Sequence, residues 1–100
     1  MAESDFQLLS INQINENLEK CGEWSIEDNG KSIRRDFQFE NFKEVIDFVN
    51  KIAEIADSEG HHPDLRVYDY KNLEVKFTTH VAKGLTQKDF DAAEMVDVLL

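Results

Sequence analysis

The sequence contains little cysteine, proline or glycine, and it has few basic residues. Its 100 residues include one cysteine, one proline and four glycines. The lone thiol of Cys21 has no partner for an intrachain disulfide, which fits a reducing compartment. No stretch approaches the roughly 18 apolar residues that cross a membrane. There is also no Gly/Ser-rich linker and no solenoid repeat, so residues 1–100 are expected to form a single domain.

The charge is strongly negative. Asp plus Glu is 21 and Lys plus Arg is 11, which gives a formal net charge of −10. This excludes the clustered cations that direct nucleic-acid binding or docking on anionic lipid requires. The start, Met1 to Asp5, is acidic where a signal peptide is basic and then apolar. The hydrophobic share of 41% is too high for a disordered tail. We therefore expect a soluble, cytoplasmic protein with no nucleic-acid or membrane partner.

Capping signals predict the first and last helices. Ser10 and Gln13 have capping-box spacing and predict a helix over about residues 10–20, which Gly22 is placed to end. Thr86 and Asp89 have similar spacing and predict a C-terminal helix. The apolar positions of this last helix are Phe90, Ala93, Val96 and Leu100, flanked by Met95 and Leu99.

A longer helix is predicted in the middle of the chain. Asn41 followed by Glu44 is typical of a helix start, and Gly60 is placed to end this helix. Phe48 and Ile55 widen its apolar stripe, which favours either a broad core face or a surface that contacts another subunit. The stripe itself comprises Phe42, Val45, Ile46, Val49, Ile52, Ala53 and Ala56.

Alternating segments before and after the middle helix predict two hairpins. Asp28-Asn29-Gly30 is a strong turn signal, and Lys71-Asn72 is predicted to make the second turn. Arg35 interrupts the apolar parity of the second strand. The apolar strand positions are Trp24, Ile26, Ile33, Phe37, Phe39, Leu65, Leu73, Val75 and Phe77. The order α-β-β-α-β-β-α predicts an α+β two-layer sandwich, a four-stranded antiparallel sheet with helices on one face.

All three histidines fall at the ends of predicted elements. His61 and His62 follow the middle helix, and His80 ends the last strand. Three interpretations are open at this point: a solvated turn with an ordinary sheet histidine, a metal site, or acid–base catalysis without metal. Imidazole titrates near neutral pH, which suits proton transfer. Asp57 and Asp89 have simpler interpretations as helix-end carboxylates.

Taken together, these positions resemble the pterin-4a-carbinolamine dehydratase family. The signature begins with Asp57 and runs D-S-E-G-H-H-P to Pro63. The aromatic Tyr70, then His80 and then Asp89 within G-L-T-Q-K-D follow at the family's spacing. Upstream, Trp24 and the stretch R-D-F-Q-F-E-N-F also look like the family. The resemblance covers about Trp24 to the C-terminus.

The resemblance implies an activity and an assembly. Such enzymes dehydrate 4a-hydroxytetrahydropterin (the 4a-carbinolamine) to quinonoid dihydropterin. This recycles the tetrahydrobiopterin used by aromatic amino acid hydroxylases. They use no metal and no cofactor, so none is expected here. They form homodimers or homotetramers through strand and helix contacts.

The resemblance also implies roles for individual residues. His61, His62 and His80 would line the pterin site, with His62 and His80 as the proton-transfer pair and His61 binding the ring. Asp89 would orient a histidine or contact the site and is counted with the catalytic residues. Pro63, Asp57 and Tyr70 join His61 as substrate-binding residues.

Two departures from the family pattern affect the site. Gly60 stands where relatives often carry Asn or Asp, so any side-chain contact from that position is missing. Lys88 replaces the arginine of animal relatives, which keeps the charge but loses bidentate geometry.

Two other functions are compatible with the same resemblance. Animal relatives also act as dimerisation cofactors of a homeodomain transcription factor. A non-catalytic interaction module of that kind would use Phe48 and Ile55 as contact residues. Pterin handling in molybdenum-cofactor metabolism is the other possibility, since the same pocket would serve it.

Overall fold

The predicted element order is confirmed. The structure, a computed structural model, describes residues 7–100, so the segment considered as a signal peptide lies outside the described residues. The helices are α1 (Ile11–Lys20), α2 (Phe42–Glu59) and α3 (Gln87–Val98), and the strands are β1 (Ser25–Glu27), β2 (Ser32–Gln38), β3 (Asp64–Tyr68) and β4 (Asn72–Phe77). Within residues 7–100, no helix has the length and apolarity needed to cross a membrane.

The strands form one antiparallel sheet in the order β1-β2-β4-β3. The register pairs Ile33 with Phe77 and Phe37 with Leu73, so these apolar side chains share one face. They are buried in a core with side chains from all three helices. The sandwich predicted from the sequence is therefore confirmed, with the helices on the apolar face.

The opposite face of the sheet is polar and carries several ion pairs. Arg34 contacts Glu27, Asp36 and Glu74 at 3.0–3.2 Å. A hydrogen bond from Arg66 to Glu74, of 2.9 Å, lowers the pKa of the Glu74 carboxyl below its usual range. Part of the chain's high charge is thus arranged as a solvated face opposite the core.

The first helix begins and ends as predicted, at Ile11 and Lys20. Ser10 N–H donates to Gln13 Oε1 at 2.8 Å, and Gln13 N–H donates to Ser10 Oγ at 3.2 Å, which completes the capping box. The C-cap is Cys21, and Gly22 follows it directly. The Cys21 side chain is buried in the core.

The buried face of α2 differs from the predicted stripe. Phe48 is only 4% exposed and packs against the rings of Phe37 and Phe39, with centroids 5.1 Å away in each case. Phe42, placed in the predicted stripe, is 52% exposed, and Ala53 is also exposed. Phe48 is therefore a core residue, and the prediction that it could serve as a contact residue for a partner is wrong.

The second hairpin turns earlier than predicted. Asp69 and Tyr70 have φ of 50° and 51°, and Asn72 already pairs with Tyr68 in the sheet. Consecutive left-handed residues match the twist of a hairpin. The turn therefore precedes the predicted Lys71-Asn72.

At the C-terminus, Leu100 is 64% exposed, so its predicted place on the apolar face of α3 is also wrong.

One carboxylate explains why Arg35 interrupts the apolar parity of β2. Asp97, near the end of α3, accepts from Arg35 Nη1 at 2.7 Å and from Trp24 Nε1 at 3.0 Å. The Arg35 guanidinium also lies over the Phe37 ring, 4.5 Å from its centroid. Arg35 can therefore face the helices because its charge and its stem both have partners there.

We predict that Asp97→Ala lowers the free energy of unfolding by about 2 kcal/mol, because it leaves the Trp24 N–H and the Arg35 guanidinium without their acceptor. Urea unfolding followed by Trp24 fluorescence measures the loss. Glu54→Ala, on the exposed side of α2, is the control and should change stability by less than about 0.5 kcal/mol. Equal stabilities of the two variants would contradict this role of Asp97.

Candidate active site

The end of α2 delivers His61 to the edge of the core. Gly60 caps the helix in the left-handed conformation, with φ of 63°. The His61 N–H then donates to the carbonyl of Ala56 at 3.2 Å, which turns the chain sharply. His61 is the first residue after this turn, and its side chain is only 10% exposed.

The end of β4 places His80 at the edge of the core near His61. Thr79 N–H donates to Gly84 O at 3.0 Å, which closes a short loop between β4 and α3. A single turn of 3-10 helix, His80–Ala82, forms the top of this loop. His80 is exposed there, while Thr79 at the base is 4% exposed.

A buried carboxylate links the two segments. Asp89, in the first turn of α3, is 0% exposed, and its Oδ1 lies 2.6 Å from His61 Nε2. Its Oδ2 accepts from Thr79 Oγ1 at 2.8 Å and from Thr86 N–H at 3.0 Å. Asp89 thus caps α3, as predicted, and contacts His61 with the same side chain.

The pairing with Asp89 fixes the His61 ring. The ring stacks on Phe77 with centroids 5.8 Å apart and an interplanar angle of 11°. A carboxylate acceptor on Nε2 requires the proton on that nitrogen. Within residues 7–100, Nδ1 forms no hydrogen bond, and no fully buried side-chain polar atom there lacks a partner. Nδ1 is therefore accessible to a ligand or to water.

His62 forms the contrasting pair. Its Nε2 lies 3.0 Å from Asp57 Oδ1, and the side chains of His62 and Asp57 are 64% and 81% exposed. Asp57 lies near the C-terminal end of α2, five residues before the histidine it contacts. Exposed pairs of this kind are weak and are readily replaced by water. His62 is therefore free to turn toward a ligand, whereas His61 is not.

The histidines meet in a single cleft with a volume of about 280 Å³. Its lining residues come from the ends of α2 and β4, from the 3-10 turn and from the start of α3. They are Gly60, His61, His62, Thr78, Thr79, His80, Val81 and Lys88. A cleft of this size lined by three imidazoles and one cation suits a small polar heterocycle.

Three predicted substrate-binding residues, Asp57, Pro63 and Tyr70, do not line this cleft. Tyr70 is 57% exposed at the β3–β4 turn. At about 3.3 Å per residue, β4 puts roughly 20 Å between this turn and the His80 end. Pro63 is half-buried directly after His62 but does not line the cleft. Within one chain, the structure brings together the histidines and Asp89 but not Tyr70.

Several residues of the site were not predicted from the sequence. Phe77 supports the His61 ring, Thr79 contacts Asp89, and Val81 lines the cleft. A signal for Thr79 exists, because it continues the buried parity of Leu73, Val75 and Phe77 along β4. A polar residue at a buried strand position requires a hydrogen-bond partner, and Asp89 provides it.

The metal interpretation finds no support in the geometry. Across residues 7–100, no group of three or more His, Cys, Asp or Glu side chains is arranged to hold a metal ion. His61 and His62 instead use their Nε2 atoms on separate carboxylates.

A cleft lined by three imidazoles, one of them fixed by a buried carboxylate, defines a candidate acid–base site. Comparison with known proteins gives the family. The family model for pterin 4 alpha carbinolamine dehydratase matches residues 7–99. The chain therefore belongs to the pterin-4-alpha-carbinolamine dehydratase family, as the resemblance in its sequence predicted.

Curated relatives agree over nearly the whole chain. A protein from Picosynechococcus sp. is 48% identical over 91% of this chain and 96% of its own length. One from Sulfurisphaera tokodaii is 42% identical over 92% of this chain and 96% of its own length. Both are named as candidate pterin-4-alpha-carbinolamine dehydratases.

Solved structures share the fold. A transcriptional coactivator/pterin dehydratase from Brucella melitensis superposes with a TM-score of 0.87 at 27% identity, covering 93% of this chain and 98% of that one. A pterin dehydratase-like RuBisCO assembly factor of the alpha-carboxysome has a TM-score of 0.65 at 17% identity, covering 76% and 87% of the respective chains. The second likeness shows the fold alone.

We predict that Asp89→Asn lowers the free energy of unfolding by about 1–3 kcal/mol. His61, Thr79 and Thr86 all donate hydrogen bonds to the oxygens of this side chain. In the variant, an amide N–H₂ donor replaces one of these acceptor oxygens, so at least one of the bonds is lost. Asp57→Asn is the matched control, since it makes the same change in an exposed pair and should cost less than about 0.5 kcal/mol. Urea unfolding of both variants decides the point, and equal losses would contradict the buried role of Asp89.

Proposed function

We propose that this chain catalyses the dehydration of 4a-hydroxytetrahydropterin to quinonoid dihydropterin, as a hydro-lyase that uses histidines and no cofactor. The observation that supports this most strongly is the shared cleft. It joins His61, His62 and His80 from two separate segments, next to the buried Asp89. In this proposal, the reaction takes place in the cytoplasm and serves to recycle tetrahydrobiopterin.

The reaction requires two proton transfers and no redox partner. The substrate carries a hydroxyl on a ring carbon that is bonded to a ring nitrogen. An acid delivers a proton to the hydroxyl, the carbon–oxygen bond breaks, and water leaves. A base removes the proton from the neighbouring nitrogen, and a carbon–nitrogen double bond forms. Each transfer by a positioned side chain contributes roughly 10²–10⁴-fold in rate.

The exposure of the histidines supports a division of roles. His62 and His80 are exposed at the mouth of the cleft and can exchange protons with water after each turnover. They are the proposed proton-transfer pair. His61 is held by Asp89 and Phe77, so it is the proposed binding residue, with Nδ1 available to the pterin ring. Asp89 acts by orienting His61.

Asp57, Pro63 and Tyr70 lie outside the histidine cleft and have less support as ligands of the pterin. Asp57 contacts His62 and can position it. Pro63 fixes the chain directly after the histidines. Tyr70 lies at the far end of β4 and would reach a pterin only at a different site or in an assembly. Lys88 lines the cleft and can offer a cation to the carbonyl side of a pterin.

The alternatives are supported less well. An interaction module was expected to use Phe48 and Ile55. Phe48 is buried and so unavailable to a partner, and Ile55 is half-buried. A role in molybdenum-cofactor metabolism would use the same cleft and the same histidines. The Brucella relative is described as both coactivator and dehydratase, so the two activities need not exclude each other.

Activity of the His62→Ala plus His80→Ala double variant tests the proposal directly. We expect the wild-type protein to accelerate the breakdown of freshly generated 4a-hydroxytetrahydropterin. Each single variant should lose roughly 10²–10⁴-fold, the usual contribution of one acid–base group. The double variant should approach the uncatalysed rate. The reaction is followed by the absorbance of the quinonoid product.

The control for this assay is Glu54→Ala on the exposed side of α2, which should retain wild-type activity. Circular dichroism verifies that every variant is folded. The proposal would be refuted if the wild-type protein did not accelerate the breakdown of 4a-hydroxytetrahydropterin. Full acceleration by the folded double variant would show that other residues carry the chemistry.

The homo-oligomer is part of the same proposal. β3 is the last strand of the sheet, and within residues 7–100 no strand pairs with its outer edge. Leu65 and Val67 on this strand face the helix side, yet each is 37% exposed. An open edge with apolar side chains favours pairing with a second copy of the chain.

We predict that Leu65→Lys plus Val67→Lys converts the oligomer to a smaller species, because charges at the edge oppose strand pairing. Light scattering coupled to size-exclusion chromatography measures the mass. Arg66→Ala changes the polar face of the same strand and should leave the mass unchanged. A wild-type monomer, or a double variant of unchanged mass, would contradict assembly through β3.

A further inference from the structure

We propose that Thr79 is a positioning residue that acts through Asp89 to hold His61 in one tautomer and one orientation. This inference rests on the proposed function for its effect on catalysis. Thr79 lies beneath the cleft and is 4% exposed. Its hydroxyl connects the end of β4 to the carboxylate that binds His61.

Each threonine hydroxyl has a single proton to donate, and this determines which group is the donor in each hydrogen bond of Thr79. The Thr79 hydroxyl carries one proton, and it donates this proton to Asp89 Oδ2 at 2.8 Å. Thr79 Oγ1 also lies 2.8 Å from Thr86 Oγ1. Since the Thr79 proton is already used, Thr86 must be the donor in that contact. The result is a directed chain from Thr86 to Thr79 to Asp89, all of it buried.

This chain determines the plane of the Asp89 carboxylate. Oδ2 has two donors, the Thr79 hydroxyl and the Thr86 N–H, while Oδ1 faces His61 Nε2. The Thr86 N–H alone satisfies the helix cap but leaves the carboxylate able to rotate about its Cβ–Cγ bond. The Thr79 hydroxyl adds a second fixed point. With the plane fixed, Oδ1 remains on Nε2, and Nδ1 of His61 stays free for a ligand.

The distinction between capping and positioning can be tested with side chains of similar shape. Thr79→Val removes the hydroxyl with little change in volume, and Thr79→Ser retains it. Ser32→Ala is the control for stability, because Ser32 also has a buried hydroxyl that donates to an aspartate, Asp28, in the turn before β2. Ser32 does not line the histidine cleft.

We expect Thr79→Val to lower kcat/KM for the dehydration about tenfold, and Thr79→Ser to recover it to within about threefold of the wild type, since one displaced catalytic contact costs rate steeply. Ser32→Ala should retain wild-type kcat/KM. A folded Thr79→Val variant with kcat/KM within about twofold of the wild type would overturn the proposal. A Thr79→Ser variant as slow as Thr79→Val would also overturn it.

A second readout does not depend on activity. The ¹⁵N chemical shifts of the His61 imidazole report which ring nitrogen carries the proton, with the resonances assigned through His62→Gln and His80→Gln. We expect the Nε2–H tautomer in the wild type and a mixture in Thr79→Val. An unchanged tautomer in Thr79→Val would contradict the proposal even if the rate fell. If Thr79→Val does not fold, Thr79→Ala supplies the same comparison.

The two readouts separate the possible failures. A wild-type protein without dehydratase activity refutes the proposed function, while the tautomer of His61 still tests the positioning role. An active wild type whose His61 tautomer is insensitive to Thr79 refutes the positioning role alone.

Discussion

The buried carboxylate of Asp89 is the interaction on which the rest of the site depends. A fully buried charge is tolerated only when its oxygens are hydrogen-bonded, and here both are occupied. The partners come from three places: the end of α2 through His61, the end of β4 through Thr79, and the start of α3 through Thr86. Satisfying this one charge therefore fixes three element ends relative to each other, and these ends form the histidine cleft.

The same arrangement separates a rigid part of the cleft from an adaptable part. His61 is fixed between Asp89 and the Phe77 ring. His80 is exposed on a single turn of 3-10 helix, and His62 is held only by an exposed pair with Asp57. Binding benefits from a preorganised group, whereas proton transfer requires groups that can exchange with solvent. One small fold thus supplies both properties.

Much of this structure is predictable from the sequence, and the failures have physical causes. The Ser10 capping box and the left-handed Gly60 depend on neighbouring residues only, so local rules are sufficient. The sequence left Phe48 open between a core and a contact role, because apolar residues surround much of α2; its packing against Phe37 and Phe39 decides for the core. The signature located the three histidines and Asp89, but the contact between His61 and Asp89 spans 28 residues and exists only in the folded chain. The signature gives Tyr70 a place in the sequence but not in space, and the hairpin puts it at the opposite end of β4 from His80.

The central claim is that one pterin binds where the three histidines meet. A crystal structure of this protein with a non-reactive dihydropterin tests that claim most directly. We expect the pterin ring to lie in the cleft between His61, His62 and His80. His61 Nδ1 should be in hydrogen-bond contact with the ring, with His61 Nε2 still on Asp89. A pterin bound elsewhere, such as at Tyr70, or a His61 ring turned away from Asp89 in the complex, would contradict this expectation.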